Sequence, residues 1–155
     1  ATIISTAEIA TACEQQNCQS HAMHLGGQHQ FPFGTVKLTL AFHGAGIAGG
    51  HACGFLVNFA GTTIYFAGDT SLFSDMSLIG RTSIDYALLP IGDNFTMGPA
   101  DAAEAVGLLK PKAVIPMHYN TWPLIAQSPT AFKQQVESQF HVPVIILNPG
   151  DSITI

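Results

Sequence analysis

Charged side chains are scarce in this sequence: they make up 10% of its 155 residues, against about 25% in ordinary soluble domains. Basic residues are especially few, with five Lys plus Arg against ten Asp plus Glu and a net charge of −5. An acidic chain repels a phosphate backbone, so we expect no nucleic-acid partner. A hydrophobic content of 47% excludes a disordered chain, and the length suits one domain. With so few charges, the protein surface is expected to promote association unless another segment or chain covers it.

The sequence also lacks a long apolar run and a paired-cysteine motif. A strongly apolar stretch such as residues 142–147 has the length of a strand, whereas a membrane span needs about 20 residues, so no membrane segment is expected. The three cysteines, Cys13, Cys18 and Cys53, form no C-x-x-C pair, which favours reduced thiols and a cytoplasmic location over a cysteine-based zinc site.

Capping residues predict helices. Ser5 followed by Glu8 has the pattern of a capping box, and Pro99 and Pro129 suit the first residue of a helix. The predicted helices cover residues 5–16, 99–109 and 129–140.

The remaining pattern predicts strands. Residues 36–40 alternate between apolar and polar side chains, as a half-buried strand does, and residues 55–59 and 62–67 flank an Ala-Gly turn typical of a hairpin. The Gly- and His-rich residues 18–34 are predicted to form a loop. The other predicted strands are residues 2–4, 86–91, 113–117, 144–147 and 152–155. Mixed strands and helices with a central hairpin indicate an α/β fold with a mixed sheet.

Four of these apolar strands end on a residue able to bind a metal or move a proton: His43, Asp69, Asp93 and His118. Loops at one edge of a layered α/β sheet converge, and ligand sites form there. Imidazole and carboxylate suit zinc, manganese or iron. The pattern therefore indicates a metal site, although a structural role for each residue stays open on this reasoning alone.

The segments around these residues resemble a known family. FAGDT at 66–70, AFHG at 41–44 and IPMHYNT at 115–121 are similar to motifs of the metallo-β-lactamase superfamily, in family order. LLPIGDNFTMGP at 88–99 resembles a bacterial and archaeal branch of uncharacterised metal-dependent hydrolases related to the ascorbate-phosphate lactonases. The resemblance extends over essentially the whole chain and implies an α/β fold, the αββα sandwich with mixed sheets.

One hallmark of that superfamily, the His-x-His-x-Asp-His motif, is absent from this sequence. The resemblance therefore implies that residues 1–155 are a single incomplete domain whose N-terminal part, about 70 residues on the family's scale, is missing. Either a longer native protein or a second chain would supply that segment. Without it, one sheet exposes an apolar face and an unpaired edge, which favours aggregation or a homo-oligomer.

The resemblance also implies roles for the strand-end residues. His43 completes one metal site, Asp69 bridges two divalent metal ions, and His118 binds the second ion, with Asp69 and His118 as the catalytic pair. Zinc is the expected metal, with manganese as the alternative. Metal-bound hydroxide then attacks the substrate.

Other polar residues have two open interpretations. Asp93 either orients a ligand histidine or belongs to a turn. Asn94, His51 and Tyr119, and also Thr96, either line the pocket or are plain loop residues, and His24 either reaches the edge of the site or is solvated. For Trp122, core packing is favoured over a place in the pocket wall.

These residues predict a metal-dependent hydrolase that acts on a small phosphorylated, lactone or ester substrate. The alternative is a non-catalytic fragment, or one half of a complementing pair, which needs the missing segment for activity. The isolated chain is then expected to be inactive and to bind zinc weakly, since three ligands divided between two sites hold metal poorly. A nuclease of the same superfamily is disfavoured by the acidic balance.

Overall fold

A computed structural model describes residues 1–154 of the chain as eight strands and four α-helices. The helices are α1 (Ala7–Glu14), α2 (Met76–Ile79), α3 (Pro99–Leu109) and α4 (Pro129–Phe140), and a short 3₁₀ helix covers Pro123–Ile125. The strands are β1 (Ile3–Thr6), β2 (Ser20–Met23), β3 (Gln28–Phe31), β4 (Gly34–Leu40), β5 (Cys53–Phe59), β6 (Thr62–Phe66), β7 (Tyr86–Pro90) and β8 (Ala113–Met117).

The main sheet has six strands in sequence order, from β3 to β8. Strands β3 to β6 pair antiparallel, and β7 and β8 join them in parallel. A smaller parallel sheet consists of β1 and β2. The predicted α/β architecture with mixed sheets is therefore confirmed.

The predicted hairpin joins β5 to β6 through Ala60 and Gly61. Both residues have positive φ angles, 49° and 86°, as a type I′ turn requires. This turn matches the right-handed twist of the two strands and sets the register Phe59↔Thr62 to Phe55↔Phe66.

The predicted helices at residues 99–109 and 129–140 are confirmed at both ends. Pro99 occupies the first turn of α3, where its missing N–H is harmless. Ser128 caps α4 by accepting a hydrogen bond from the amide of Ala131 at 3.2 Å. Each helix ends on a residue in the left-handed conformation, Lys110 and His141.

The predicted start of the first helix at Ser5 is wrong. Ser5 pairs with Ala22 in the parallel ladder of β1 and β2, so the strand continues to Thr6 and α1 begins at Ala7. Thr6 takes the N-cap position without a side-chain capping bond. Its hydroxyl lies instead 3.5 Å from the carbonyl oxygen of His51, as a hydrogen-bond donor.

Three further predictions need correction. The predicted loop at residues 18–34 contains two strands, because β2 pairs with β1 and β3 pairs with β4. Pairing with a neighbouring strand outweighs the low strand propensity of a Gly- and His-rich segment. The predicted strand at residues 144–147 is reduced to one bridge between Val144 and Val114. Residues 152–154 form no strand, and Ile155, the end of that prediction, lies outside the described residues.

The main sheet buries one face under the helices. Leu56, Tyr65, Ala87, Leu89 and Val114 project to that face and belong to one hydrophobic cluster with residues of α2, α3 and α4. Burial raises the pKa of the Tyr65 hydroxyl to about 12, since the phenolate form would lose its hydration.

The opposite face carries a row of apolar side chains that are only partly covered. Phe55, Phe66, Leu88 and Ile115 are cross-strand partners and therefore share this face. Phe66 is exposed, and the other three are half-buried. Within residues 1–154, no helix has the length and apolar character to cross a membrane.

Candidate metal centre

The four predicted strand-end residues lie at one edge of the main sheet. Asp69, Asp93 and His118 follow β6, β7 and β8, which run parallel to one another. His43 follows β4, which runs in the same direction, because two antiparallel pairings separate it from β6. The carboxyl ends of these strands meet at a common edge, the usual position of a ligand site in α/β sheets.

Asp69 and His118 are in direct contact. Oδ2 of Asp69 lies 3.5 Å from Nε2 of His118, and their side chains are 43% and 24% exposed. Donor atoms bound to one tetrahedral zinc ion at about 2.0–2.2 Å lie about 3.4 Å from each other. The pair therefore has the chemistry and the spacing of two ligands of one divalent ion.

His118 is held in an unusual local environment. Its φ angle is +55°, a region that non-glycine residues rarely occupy and that often marks functional sites. Its Nδ1 atom is buried and has no hydrogen-bond partner, which costs about 1–3 kcal/mol for a neutral group. Gly92 lies against this ring, so that a Cβ atom there would be 3.1 Å from Nδ1.

His43 lies on the other side of Asp69. The two residues line a cavity of about 370 Å³ together with His51, and Nδ1 of His43 donates a hydrogen bond to the carbonyl oxygen of Gly44 at 2.9 Å. That bond leaves Nε2 as the nitrogen available to a metal. Since β6 lies between β4 and β8 in the sheet, Asp69 stands at a strand end between those of His43 and His118.

The structure does not gather these ligands into one closed site. His118 lines a different cavity, of about 460 Å³, with Tyr119 and Asn120. Over the described part of the chain, no group of three or more His, Cys, Asp or Glu side chains is placed to hold a metal ion. A site built from Asp69 and its two histidine neighbours therefore needs further ligands.

Asp93 and Asn94 form a left-handed turn at the end of β7, with φ angles of 62° and 52°. Oδ1 of Asp93 accepts a hydrogen bond from the amide of Asn94 at 2.8 Å. Both side chains are exposed. The contacts of Asp93 are those of a turn residue, while its position at the sheet edge keeps it beside the Asp69–His118 pair.

The other predicted pocket residues lie around this edge. His51 is exposed, and its ring centroid lies 5.6 Å from that of His24. Tyr119 packs against the hydrophobic cluster and lines the cavity of His118. Partial burial raises the pKa of the Tyr119 hydroxyl, since its ionised form is less well solvated.

The favoured prediction of core packing for Trp122 is wrong. Its side chain is 44% exposed, and its ring centroid lies 6.1 Å from that of His118. Phe95, which composition and spacing did not single out, lies 6.2 Å from Trp122 and is 50% exposed. Its position directly after the Gly-Asp-Asn turn that follows β7 was the sequence feature that could have indicated its place near the site.

Comparison with known proteins identifies the family and the fold. The family model described as a beta-lactamase superfamily domain matches residues 2–119. A metallo hydrolase from the archaeon Ignicoccus hospitalis, Igni18, superposes with a TM-score of 0.92 at 36% identity, covering 99% of this chain and 68% of that one. The metallo-beta-lactamase fold protein YhfI of Bacillus subtilis shows the same fold, with a TM-score of 0.76 at 10% identity. The alignment covers 97% of this chain and 63% of the YhfI chain.

Relatives at higher identity are longer than this chain. A UPF0173 metal-dependent hydrolase of Pelotomaculum thermopropionicum is 54% identical over 99% of this chain and 71% of its own length. Its counterpart in Desulforamulus reducens is 56% identical over 100% of this chain and 72% of its own length. With its strand-end aspartate and histidines on this sheet, the chain belongs to the metallo-β-lactamase superfamily, among the UPF0173 metal-dependent hydrolases.

Proposed function

We propose that this protein is a hydrolase that cleaves a small phosphorylated, lactone or ester substrate with a metal-activated water molecule. The contact of 3.5 Å between Asp69 and His118 carries the proposal, because a carboxylate and an imidazole, both common metal ligands, meet at the edge of the sheet where ligand sites usually form. The proposal includes the predicted relation to the ascorbate-phosphate lactonases and a cytoplasmic location, which the free thiols of Cys13, Cys18 and Cys53 favour.

Asp69, His118 and His43 would hold the metal ions. The donor set of one carboxylate and two imidazoles fits zinc, with manganese as the alternative. Because its strand lies between those of the two histidines, Asp69 would be the ligand common to two ions. Bound metal supplies a Lewis acid and, at neutral pH, a hydroxide nucleophile.

The protein's own residues position these groups. The bond from His43 Nδ1 to the Gly44 carbonyl selects the tautomer in which Nε2 is unprotonated. The left-handed backbone of His118 and the close packing of Gly92 hold the second imidazole against Asp69. Pre-set orientation of this kind lowers the entropic cost of assembling a reactive site.

We place the remaining metal ligands on a segment outside this chain, supplied by a longer form of the protein or by a second, different chain. Support comes from the lack of a three-ligand group among residues 1–154 and from the absent His-x-His-x-Asp-His motif. Catalytic zinc sites use about three protein ligands around one ion.

The test measures metal content and the hydrolysis of bis(p-nitrophenyl) phosphate and of a γ-lactone, with and without the segment that carries that motif. We expect activity only in the complete form, and loss of metal in Asp69→Asn and His118→Asn. His141→Asn is the matched control, because His141 also has a left-handed backbone, with φ at 57°, and lies at the C-terminus of α4. A complete form with neither metal nor turnover would refute the proposal.

The second candidate function is a non-catalytic binding module or complementing half. The observation in its favour is that the described residues pair the ligands but do not enclose an ion. We then expect zinc to bind the chain alone only weakly. Stoichiometric zinc binding at sub-micromolar concentration by this chain would contradict that expectation.

A further inference from the structure

Two large aromatic side chains stand exposed beside His118. Phe95 is 50% and Trp122 is 44% exposed, although each is close in sequence to a fully buried residue, Met97 and Ile125 respectively. The two segments are therefore anchored in the protein while their aromatic rings face outward. We call Phe95 and Trp122 the aromatic wall.

The segment that carries Trp122 is fixed by hydrogen bonds rather than by burial of its ring. The amide of Asn120 donates to the carbonyl oxygen of Ile125 at 2.9 Å. The amide of Gln127 donates to Oδ1 of Asn120 at 2.8 Å, and its side-chain amide donates to the Gly92 carbonyl at 3.4 Å. Trp122 thus keeps a defined position without contributing its full area to the core.

The segment that carries Phe95 is fixed in the same way. The amide of Asp93 donates to the carbonyl oxygen of Met97 at 3.0 Å, and the amide of Met97 donates to that of Thr70 at 2.9 Å. Phe95 lies at the tip of this turn. Because Phe95 is 50% exposed, its position forgoes about half of the roughly 1.5–3 kcal/mol that full burial of its side chain would give. Together with Trp122 it forms contiguous exposed apolar surface, which is typical of a binding site.

The wall is continuous with the candidate metal centre. The ring centroids of Phe95 and Trp122 are 6.2 Å apart and tilted by 50°, and Trp122 meets His118 edge-on at 6.1 Å and 77°. These separations lie within the range of favourable aromatic pairs. A flat apolar group that rests on the wall is therefore adjacent to the imidazole that faces Asp69.

We propose that Phe95 and Trp122 determine substrate specificity by binding a planar apolar group, such as an aryl ring, next to the bond that is cleaved. The inference rests on the proposed function and adds the substrate class: esters or phosphoesters with an aromatic substituent rather than small polar ones. Phe95 and Trp122 would position this substituent, while Asp69 and His118 act at the reacting group.

Ligand binding tests this directly, because Trp122 is the sole tryptophan of the sequence. Its fluorescence would be followed during titration with phenylphosphonate and methylphosphonate, and with phenylacetate and acetate, in the presence of zinc. The two pairs differ in the anionic group, but in each pair only one member carries a ring. Calorimetry would provide the same affinities for variants that lack the indole.

We expect the phenyl member of at least one pair to bind about tenfold more tightly than the methyl member, which corresponds to about 1.4 kcal/mol. Trp122→Ala and Phe95→Ala should reduce this preference to about twofold, and Trp122→Phe should retain most of it. Phe59→Ala is the matched control. Phe59 is 51% exposed but lies at the C-terminal end of β5, at the sheet edge opposite the candidate metal centre, so its substitution should leave the preference unchanged.

The outcomes separate this inference from the proposed function. Equal affinity within both pairs, or no response to either phenyl compound, overturns the proposed binding role of the aromatic wall even if the complete protein hydrolyses its substrates. A phenyl preference that depends on Trp122 supports the wall even where turnover is absent. A shift of the Trp122 emission on dilution without ligand would show that a second copy covers the ring, and this also overturns the inference.

Discussion

Replacement of Gly92 by alanine should damage the candidate site through the backbone of its histidine. Gly92 lies two residues after the end of β7 and faces the end of β8, where the amide of Ile91 donates to the carbonyl oxygen of Met117 at 3.0 Å. A Cβ atom at Gly92 would overlap the carbonyl oxygen of His118 and would lie 3.1 Å from its Nδ1 and 3.2 Å from Cβ of Ile125. Neither a carbonyl group nor a buried β-carbon can swing aside.

The size of the effect follows from these contacts. The His118 carbonyl must retreat by about 1 Å to reach an ordinary C···O separation of about 3.3 Å. Overpacking of this kind typically costs about 1–3 kcal/mol of folding free energy. Since it displaces the imidazole that we propose as a metal ligand, we also expect the zinc affinity of the site to fall by about 10–100-fold, as for loss of a group that orients a ligand.

Two measurements check this prediction: urea unfolding for the free energy, and zinc titration followed by the NMR signals of the His118 ring. Gly61→Ala is the matched control. Gly61 has a φ of 86° and no atom within 4 Å of an added Cβ, so it should lose about 1–2 kcal/mol of stability from strain alone and bind zinc as the unmodified chain does. If Gly92→Ala retains both stability and zinc affinity, the packing argument is refuted.

Three other outcomes are expected. Two groups lower the pKa of the Asp85 carboxyl: the Lys112 ammonium, 2.6 Å away, and the Thr63 amide. The folded state is therefore stabilised above the unfolded pKa of about 3.9, and this stabilisation is lost as pH falls through the lower folded pKa. Asp85→Asn should therefore flatten the acid limb of a Tm-against-pH curve, and an unchanged limb would contradict this. Burial raises the pKa of the Cys53 thiol, so iodoacetamide should label exposed Cys18 before Cys53 in a mass-spectrometric time course; the reverse order would contradict the assigned burial. The partly covered face around Phe66 predicts self-association in sedimentation equilibrium, weakened by Phe66→Asp, and a monodisperse monomer at all concentrations would argue against it.

Local patterns in the sequence were sufficient for much of the main sheet. Alternation predicted β4, the Ala-Gly turn predicted the β5–β6 hairpin, and prolines at the first helical position predicted α3 and α4. These signals work because each depends on residues close in sequence. Strands β2 and β3 were not predicted, because their formation depends on partners that the composition of residues 18–34 does not reveal.

The sequence predicted which residues lie at this edge of the sheet, but not how they are oriented there. Strand-end positions identified Asp69, Asp93 and His118 because parallel neighbours bring such positions to one edge. The left-handed backbone of His118 and Asp93 has no reliable sequence signal, since Asp and His visit that region only as a minority. The unpaired Nδ1 of His118 likewise depends on how β7 and β8 pack.

The outward position of Trp122 is the most informative departure from the sequence-based prediction. Its hydrophobicity favoured the core, yet the backbone hydrogen bonds of residues 120–127 fix the segment and bury Ile125 in its place. A large ring kept at the surface by a hydrogen-bonded segment, beside the histidine proposed as a metal ligand, is more readily explained by ligand binding than by folding. In a chain with few charges, an exposed apolar residue is therefore informative only when the backbone that holds it is fixed and its neighbour has chemistry of its own.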